Sequence, residues 1–182
     1  MTGLAWLTAA VALSAAGLVA RLRPPAPQIG VVALTVALVT AGTSLPGFRS
    51  WLNSMGMRRL IALHVTRFVG AWFLVLYGRG ELPYAFAVPG GWGDIVVATI
   101  ALLIVLLVAD LKRARLLILA WNLLGFADML FVVATAARLG LAEPSSMAAL
   151  LRLPLSLLPT FLVPLIIASH ILIFVRLARQ RA

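Results

Sequence analysis

The chain has 182 residues, 63% of them hydrophobic and 11% charged, with a mean hydropathy of +1.10, whereas a soluble domain is about 45–50% apolar and about 25% charged. So little polar surface cannot coat a globule in water, which excludes a soluble fold and an unfolded chain and points to a bilayer as solvent. The formal net charge is +10 and there is no cysteine, so disulfides, thiolate nucleophiles and Cys-ligated metals are excluded.

Hydropathy predicts six spans in one integral-membrane domain covering residues 1–182: 3–20, 29–48, 60–77, 93–109, 116–137 and 153–175. None of these stretches alternates as a barrel strand does, so the predicted fold is an all-α bundle of six transmembrane helices. No basic residue precedes the first apolar run, which is long for a signal peptide, so its retention is expected. Its alanines Ala5, Ala9, Ala12, Ala16 and Ala20 form a small-residue face suited to packing on span two or on a partner subunit. Residues 50–59 read as a short interfacial helix, with Trp51 and Met55 on the apolar side and Arg58 and Arg59 toward headgroups. The stretch 83–93 is rich in proline and glycine and reads as a turn entering span four. Asp94, which closes Gly91-Trp92-Gly93-Asp94, is then expected to cap that helix.

The basic residues set the orientation. Loops on one side hold Arg49, Arg58, Arg59, Lys112, Arg113, Arg115, Arg176, Arg179 and Arg181, and the opposite loops hold Arg21, Arg23, Arg79, Arg138 and Arg152. The positive-inside rule places the first set, and both termini, in the cytoplasm, with a bacterial inner membrane as the expected location. Charges clustered at span ends do not make a nucleic-acid surface, so no nucleic-acid partner is expected. Trp51, Trp92 and Trp121 fall near predicted span ends, as an interfacial belt would have them.

Ionisable groups inside spans cost about 2.5–3.5 kcal/mol each on insertion scales and so mark candidate sites. Counted from the cytoplasmic basic residues at 1.5 Å per residue, Arg67, Asn122, His170 and His64 lie at depths of about 12, 10, 9 and 8 Å, and Asp128 at about 20 Å. Spans three, five and six thus aim their polar groups at one level. This predicts a ligand pocket in the cytoplasmic half, with Arg67 as fixed cation and Asn122, Asp128, His170 and His64 as partners. Pro164 frees the carbonyl of Thr160 beside it, as a cavity wall allows. Arg67 needs a counter-charge, and Asp128 is expected within direct or one-water contact.

Other chemistry is poorly supported. The GxGD string is shared with intramembrane aspartyl proteases, but those need two adjacent carboxylates, and Asp94 and Asp128 are expected about 15 Å apart along the membrane normal. Ser169 adjoins His170 and so points away from it, and no GxSxG string exists. No catalytic residue and no metal ligand is assigned. His64 and His170 at similar depth on two helices could ligate haem b.

The strings TRFVG around Arg67, GWGD ending at Asp94, WNLLG from Trp121 and LPTFLVPL from Leu158, with His170 beyond, resemble a widespread set of bacterial multi-pass membrane proteins of unassigned function. The resemblance covers about residues 60–177. It implies that Arg67, Asp94, Trp121, Asn122, Pro159, Pro164 and His170 are the family's marked positions, and that glutamine is usual where His64 stands here. The expected function is binding or transport of a small polar or anionic solute. The alternatives are a haem-b redox protein and a non-catalytic assembly or scaffold subunit.

Overall fold

The computed structural model describes residues 2–179, and Gln180, Arg181 and Ala182 lie outside it, as does the contribution of Arg181 to the charge asymmetry. Seven helices follow one another: α1 (Thr2–Ala15), α2 (Ala26–Ser44), α3 (Pro46–Ser54), α4 (Met57–Gly78), α5 (Tyr84–Leu107), α6 (Arg115–Ala142) and α7 (Leu158–Arg179). There is no strand among the described residues. Helices α2, α4, α5, α6 and α7 are long and apolar enough to cross a membrane. Helix α1 is apolar but shorter, because the chain breaks at Gly17, whose φ of 71° lies in the left-handed region that favours glycine. Span one therefore stops at Ala15, and Ala20 belongs to a separate 3₁₀ turn at Val19–Arg21.

Helices α4 to α7 form the bundle, with α2 laid against α7. Side chains of α2 are exposed or half-buried, apart from the buried Val31 and Thr35. The bundle has two apolar layers. One, at the end bearing Arg59, Arg115 and Arg176, includes Leu60, Ile61, Ile104, Ile118, Ile173 and Leu177. The other, at the opposite end, includes Phe73, Leu76, Phe86, Val132, Met147 and Leu158.

The structure departs from several of the sequence expectations. Residues 83–93 are not a turn, because α5 starts at Tyr84 and carries Pro89 within it. Proline is tolerated there because Pro89 is only the sixth residue of the helix, where its ring has just one preceding turn to clash with. Asp94 consequently sits ten residues inside α5 and caps nothing. Span six starts later than 153, at Leu158: Pro154 interrupts the stretch before it, and Pro159 sits in the first turn, where a proline is tolerated. Trp121 is not interfacial: it is 2% exposed, and its indole N–H donates to the Val97 carbonyl at 3.0 Å. Trp92 is exposed, but eight residues inside α5.

The alanine face of α1 is exposed along Ala5, Ala9 and Ala12 rather than packed on α2. The helix instead turns Trp6 and buried Ala10 inward, and the Trp6 indole N–H donates to the Thr160 carbonyl at 3.0 Å. That carbonyl is the one Pro164, lacking an N–H, leaves open. The start of α7 is a π-turn over Leu158–Leu162, closed by the Val163 N–H on the Leu158 carbonyl.

Basic side chains on one face also tie helix ends together. Arg58 donates to the carbonyls of Val105, Val108 and Ala109 at the end of α5 rather than pointing to headgroups. Arg115 donates to Leu177, and Arg176 to Leu52 and Met55. Each guanidinium thereby donates to carbonyls at or just beyond a helix end, where intrahelical donors run out, and the Leu52 carbonyl also accepts from the Met55 N–H.

Candidate functional site

The site lies halfway along the four central helices. Arg67 is ten residues after Met57 and eleven before Gly78 on α4, and Asp128 is thirteen after Arg115 and fourteen before Ala142 on α6. Around Arg67 the helix tightens to a 3₁₀ stretch, His64–Val69, flanked by α-helical turns. A mid-helix 3₁₀ segment is uncommon and often marks a functional position.

Arg67 is 1% exposed, and its guanidinium is almost fully engaged. Nε–H donates to Asp94 Oδ1 at 2.7 Å, Nη1–H to the Gly125 carbonyl at 2.9 Å, and Nη2–H to Asp128 Oδ2. Nη1 also lies 3.4 Å from His170 Nε2. A guanidinium has no lone pair to offer, so His170 Nε2 is the acceptor and its proton is on Nδ1. Nδ1–H then donates to Asn122 Oδ1 at 2.8 Å, and Asn122 Nδ2 donates to the His170 carbonyl at 3.2 Å. The chain of donors runs from Arg67 through His170 to Asn122, so the last two hold the guanidinium from behind.

His64 packs against His170, with ring centroids 4.2 Å apart. Its Nε2 is 3.0 Å from Ser169 Oγ, whose hydroxyl also lies 2.8 Å from the Ile166 carbonyl. One hydroxyl proton serves one acceptor, and Ile166 can only accept, so Ser169 donates there and His64 Nε2–H donates to Ser169. His64 Nδ1 is then a bare lone pair, buried without a partner. This polarity is opposite to what a base activating a serine requires.

Glycines let these groups approach. A Cβ on Gly93 would collide with Asp128 Oδ1, and one on Gly125 would lie 2.8 Å from His170 Cε1 and 2.9 Å from Val97 Cγ1. On α4 and α5, Gly70 and Gly91 face each other, a Cβ on either coming within 2.7 Å of the other's carbonyl oxygen. The glycines that suggest a turn in the sequence thus serve close helix packing.

The predicted residues Arg67, Asn122, Asp128, His170 and His64 are brought together, and the expected Arg67–Asp128 contact is present. Asp94 joins them as a second counter-charge, which the sequence reading missed by placing it at a helix end. The expected separation of Asp94 and Asp128 along the normal is corrected as well: both carboxylates accept from one guanidinium. A protease dyad must share a proton, and here each carboxylate is instead paired with the arginine. A bis-histidine haem does not fit. Its macrocycle would have to lie between imidazoles that touch, and both Nε2 atoms are already engaged.

A cavity of about 490 Å³ ends on this cluster. Arg67 and Asp94 line its floor, Phe73, Phe86, Val132 and Leu158 its walls, and Arg21, Arg23 and Ser145 its mouth. Asn122, Asp128, His170 and His64 are not among its lining residues. The cavity lies on the side opposite to the one expected, because the apolar layer around Ile61, Ile118 and Ile173 closes the other end. No curated protein and no solved structure matches the chain. A family match spans residues 24–178, from the chain before α2 to the last turn of α7, and by that match the chain belongs to the family described as Domain of unknown function (DUF8737).

Proposed function

We propose that this is a multi-pass membrane protein of the bacterial inner membrane, crossing six times with both termini cytoplasmic, that binds an amphiphilic solute in the Arg67–Asp94 cavity as a step in its transport. The observation that supports this most directly is a largely apolar cavity whose floor is a guanidinium and a carboxylate. With Asp94 and Asp128 against one Arg67, the cluster carries one negative charge in excess when both acids are ionised. An arriving anion would find one unassigned hydrogen on Nη2 and two carboxylates nearby. The arrangement therefore favours a neutral or cationic polar end, donating to Asp94, and of the small polar or anionic solute expected from the sequence it disfavours the anionic form. Arg21 and Arg23 at the mouth are exposed and screened by water and salt.

The test is binding of three ten-carbon probes, decylammonium, decanol and decanoate, to the purified protein. Decylammonium and decanol are expected to bind more tightly than decanoate, and Ala136→Trp, which fills the cavity, is expected to abolish binding of all three. Equal binding by the filled variant refutes the cavity as the site, and preference for decanoate refutes the assignment of its polar end. Loss of yield on Arg67→Ala with no probe bound by the parent protein would support a scaffold role instead.

A further inference from the structure

A second cavity, of about 500 Å³, lies on the other face of the molecule, between α1, α2, α3, α4 and α7. Its walls are apolar, including Trp6, Leu38, Leu60, Leu165 and Leu172. Along α7 it runs from Phe161 to Arg179, eighteen residues or about 27 Å, longer than the hydrocarbon half of one leaflet. At one end it is ringed by Arg49, Arg59, Arg176 and Arg179, and no acidic residue lines it. Arg176 is committed to the Leu52 and Met55 carbonyls. Arg49, Arg59 and Arg179 are exposed and make no side-chain hydrogen bond or ion pair among the described residues. By contrast Arg113, on the same face, is paired with Asp110 at 3.4 Å. Trp51, exposed and stacked on Phe48 with centroids 5.4 Å apart, edges the groove too, and an indole is a side chain that favours the membrane–water interface.

We propose that this groove binds one anionic phospholipid, with its phosphodiester among Arg49, Arg59 and Arg179 and one acyl chain along α7. Charge complementarity selects the headgroup, since three uncompensated guanidiniums converge on one end of an apolar channel. Length and lining select the chain. The helix α3, set between α2 and α4, is the element that brings Arg49 and Trp51 to the rim, and Arg176 fixes its position through the Leu52 and Met55 carbonyls. The site is separate from the Arg67 cavity and does not depend on the function proposed for it.

The experiment is native mass spectrometry and thermal unfolding of the full chain in detergent, titrated with phosphatidylglycerol, phosphatidylcholine or inorganic phosphate. Phosphatidylglycerol is expected to bind one molecule per chain and to raise the melting temperature. Phosphatidylcholine and inorganic phosphate are expected to do neither. Replacing Arg49, Arg59 and Arg179 by glutamine, singly and together, is expected to weaken binding by about fivefold per arginine removed. Lys112→Gln with Arg113→Gln, on the same face outside the groove, is expected to leave it unchanged. An equal loss in that control would mean diffuse surface attraction and overturn the proposal. So would equal binding of phosphatidylcholine, or an equal effect of inorganic phosphate alone. If the triple variant fails to fold, Arg49→Gln alone decides, and unchanged affinity there also overturns it.

Discussion

Arg67 is held by two carboxylates, a backbone carbonyl and an imidazole contributed by three other helices, so its removal is not a local event. Interhelical polar contacts in membranes average about 0.6 kcal/mol, but taking one member from a buried ionic group leaves unbalanced charge and costs about 3–5 kcal/mol. Arg67→Gln is accordingly expected to lose the most stability, Asp94→Asn less and Asp128→Asn least. That order follows because the Asp128 side chain is 14% exposed and that of Asp94 5%, and because Arg67 keeps Asp94 when Asp128 is neutralised. Unfolding of the three variants in one detergent checks it, and an Asp128→Asn loss as large as that of Arg67→Gln would contradict it. At this scale the sequence was informative in a particular way. Arg67, Asn122, His170 and His64 share a depth, and depth is readable from residue counts because a helix rises evenly. Asp94 escaped that arithmetic because its helix begins at Tyr84. Proline and glycine are the residues that usually end helices, and here Gly91 and Gly93 instead let α5 press against α4 and α6.

At the scale of elements, α7 shows how one missing donor is reused. Pro164 opens the Thr160 carbonyl, and the Trp6 indole closes it, while the Trp6 ring rests on Phe161 with centroids 4.6 Å apart. Trp6→Phe keeps an aromatic ring and removes the donor. It is expected to cost about 0.5–1.5 kcal/mol and, by loosening the connection after α1, to speed trypsin cleavage after the exposed Arg21, with cleavage rate in detergent as the measure. A rate no faster than that of the parent protein would show that the contact does not hold α1. Composition and hydropathy could not have foreseen this, because proline reports only that a carbonyl is freed and not which side chain takes it. The sequence suggested a cavity beside Pro164, and what the carbonyl receives is an indole. The same limit explains Arg58, Arg115 and Arg176. Counting them as surface charges ignores that helix ends carry unpaired carbonyls within a guanidinium's reach.

At the scale of the whole molecule, the two apolar layers and the polar level between them define two faces. The absence of cysteine makes their assignment to the two sides of the membrane simple to check. A single cysteine at Lys112 and another at Glu143 stand on opposite loops, both exposed. In intact cells a membrane-impermeant maleimide is expected to label the cysteine at 143 and not the one at 112. Labelling of position 112 alone would invert the orientation and with it the side from which the Arg67 cavity is entered.

The negative charge that the Arg67 cluster carries in excess when Asp94 and Asp128 are both ionised also has an electrical meaning. It lies near the middle of four helices, walled off on one side by the layer around Ile61 and Ile118 and reached from the other through the cavity. The cavity is lined mostly by apolar side chains and is no wide aqueous vestibule, so part of the membrane potential falls along the path between mouth and floor and the rest across the closed side. Carrying one elementary charge across the full potential is worth about 2.3 kcal/mol per 100 mV. A cation that travels half of that drop to reach Asp94 gains about half as much, close to a sevenfold change in occupancy per 100 mV. With the cavity mouth on the outer face, as proposed above, a cell that is negative inside would load a cationic solute into this cavity from outside, whereas a neutral one would be indifferent to the voltage.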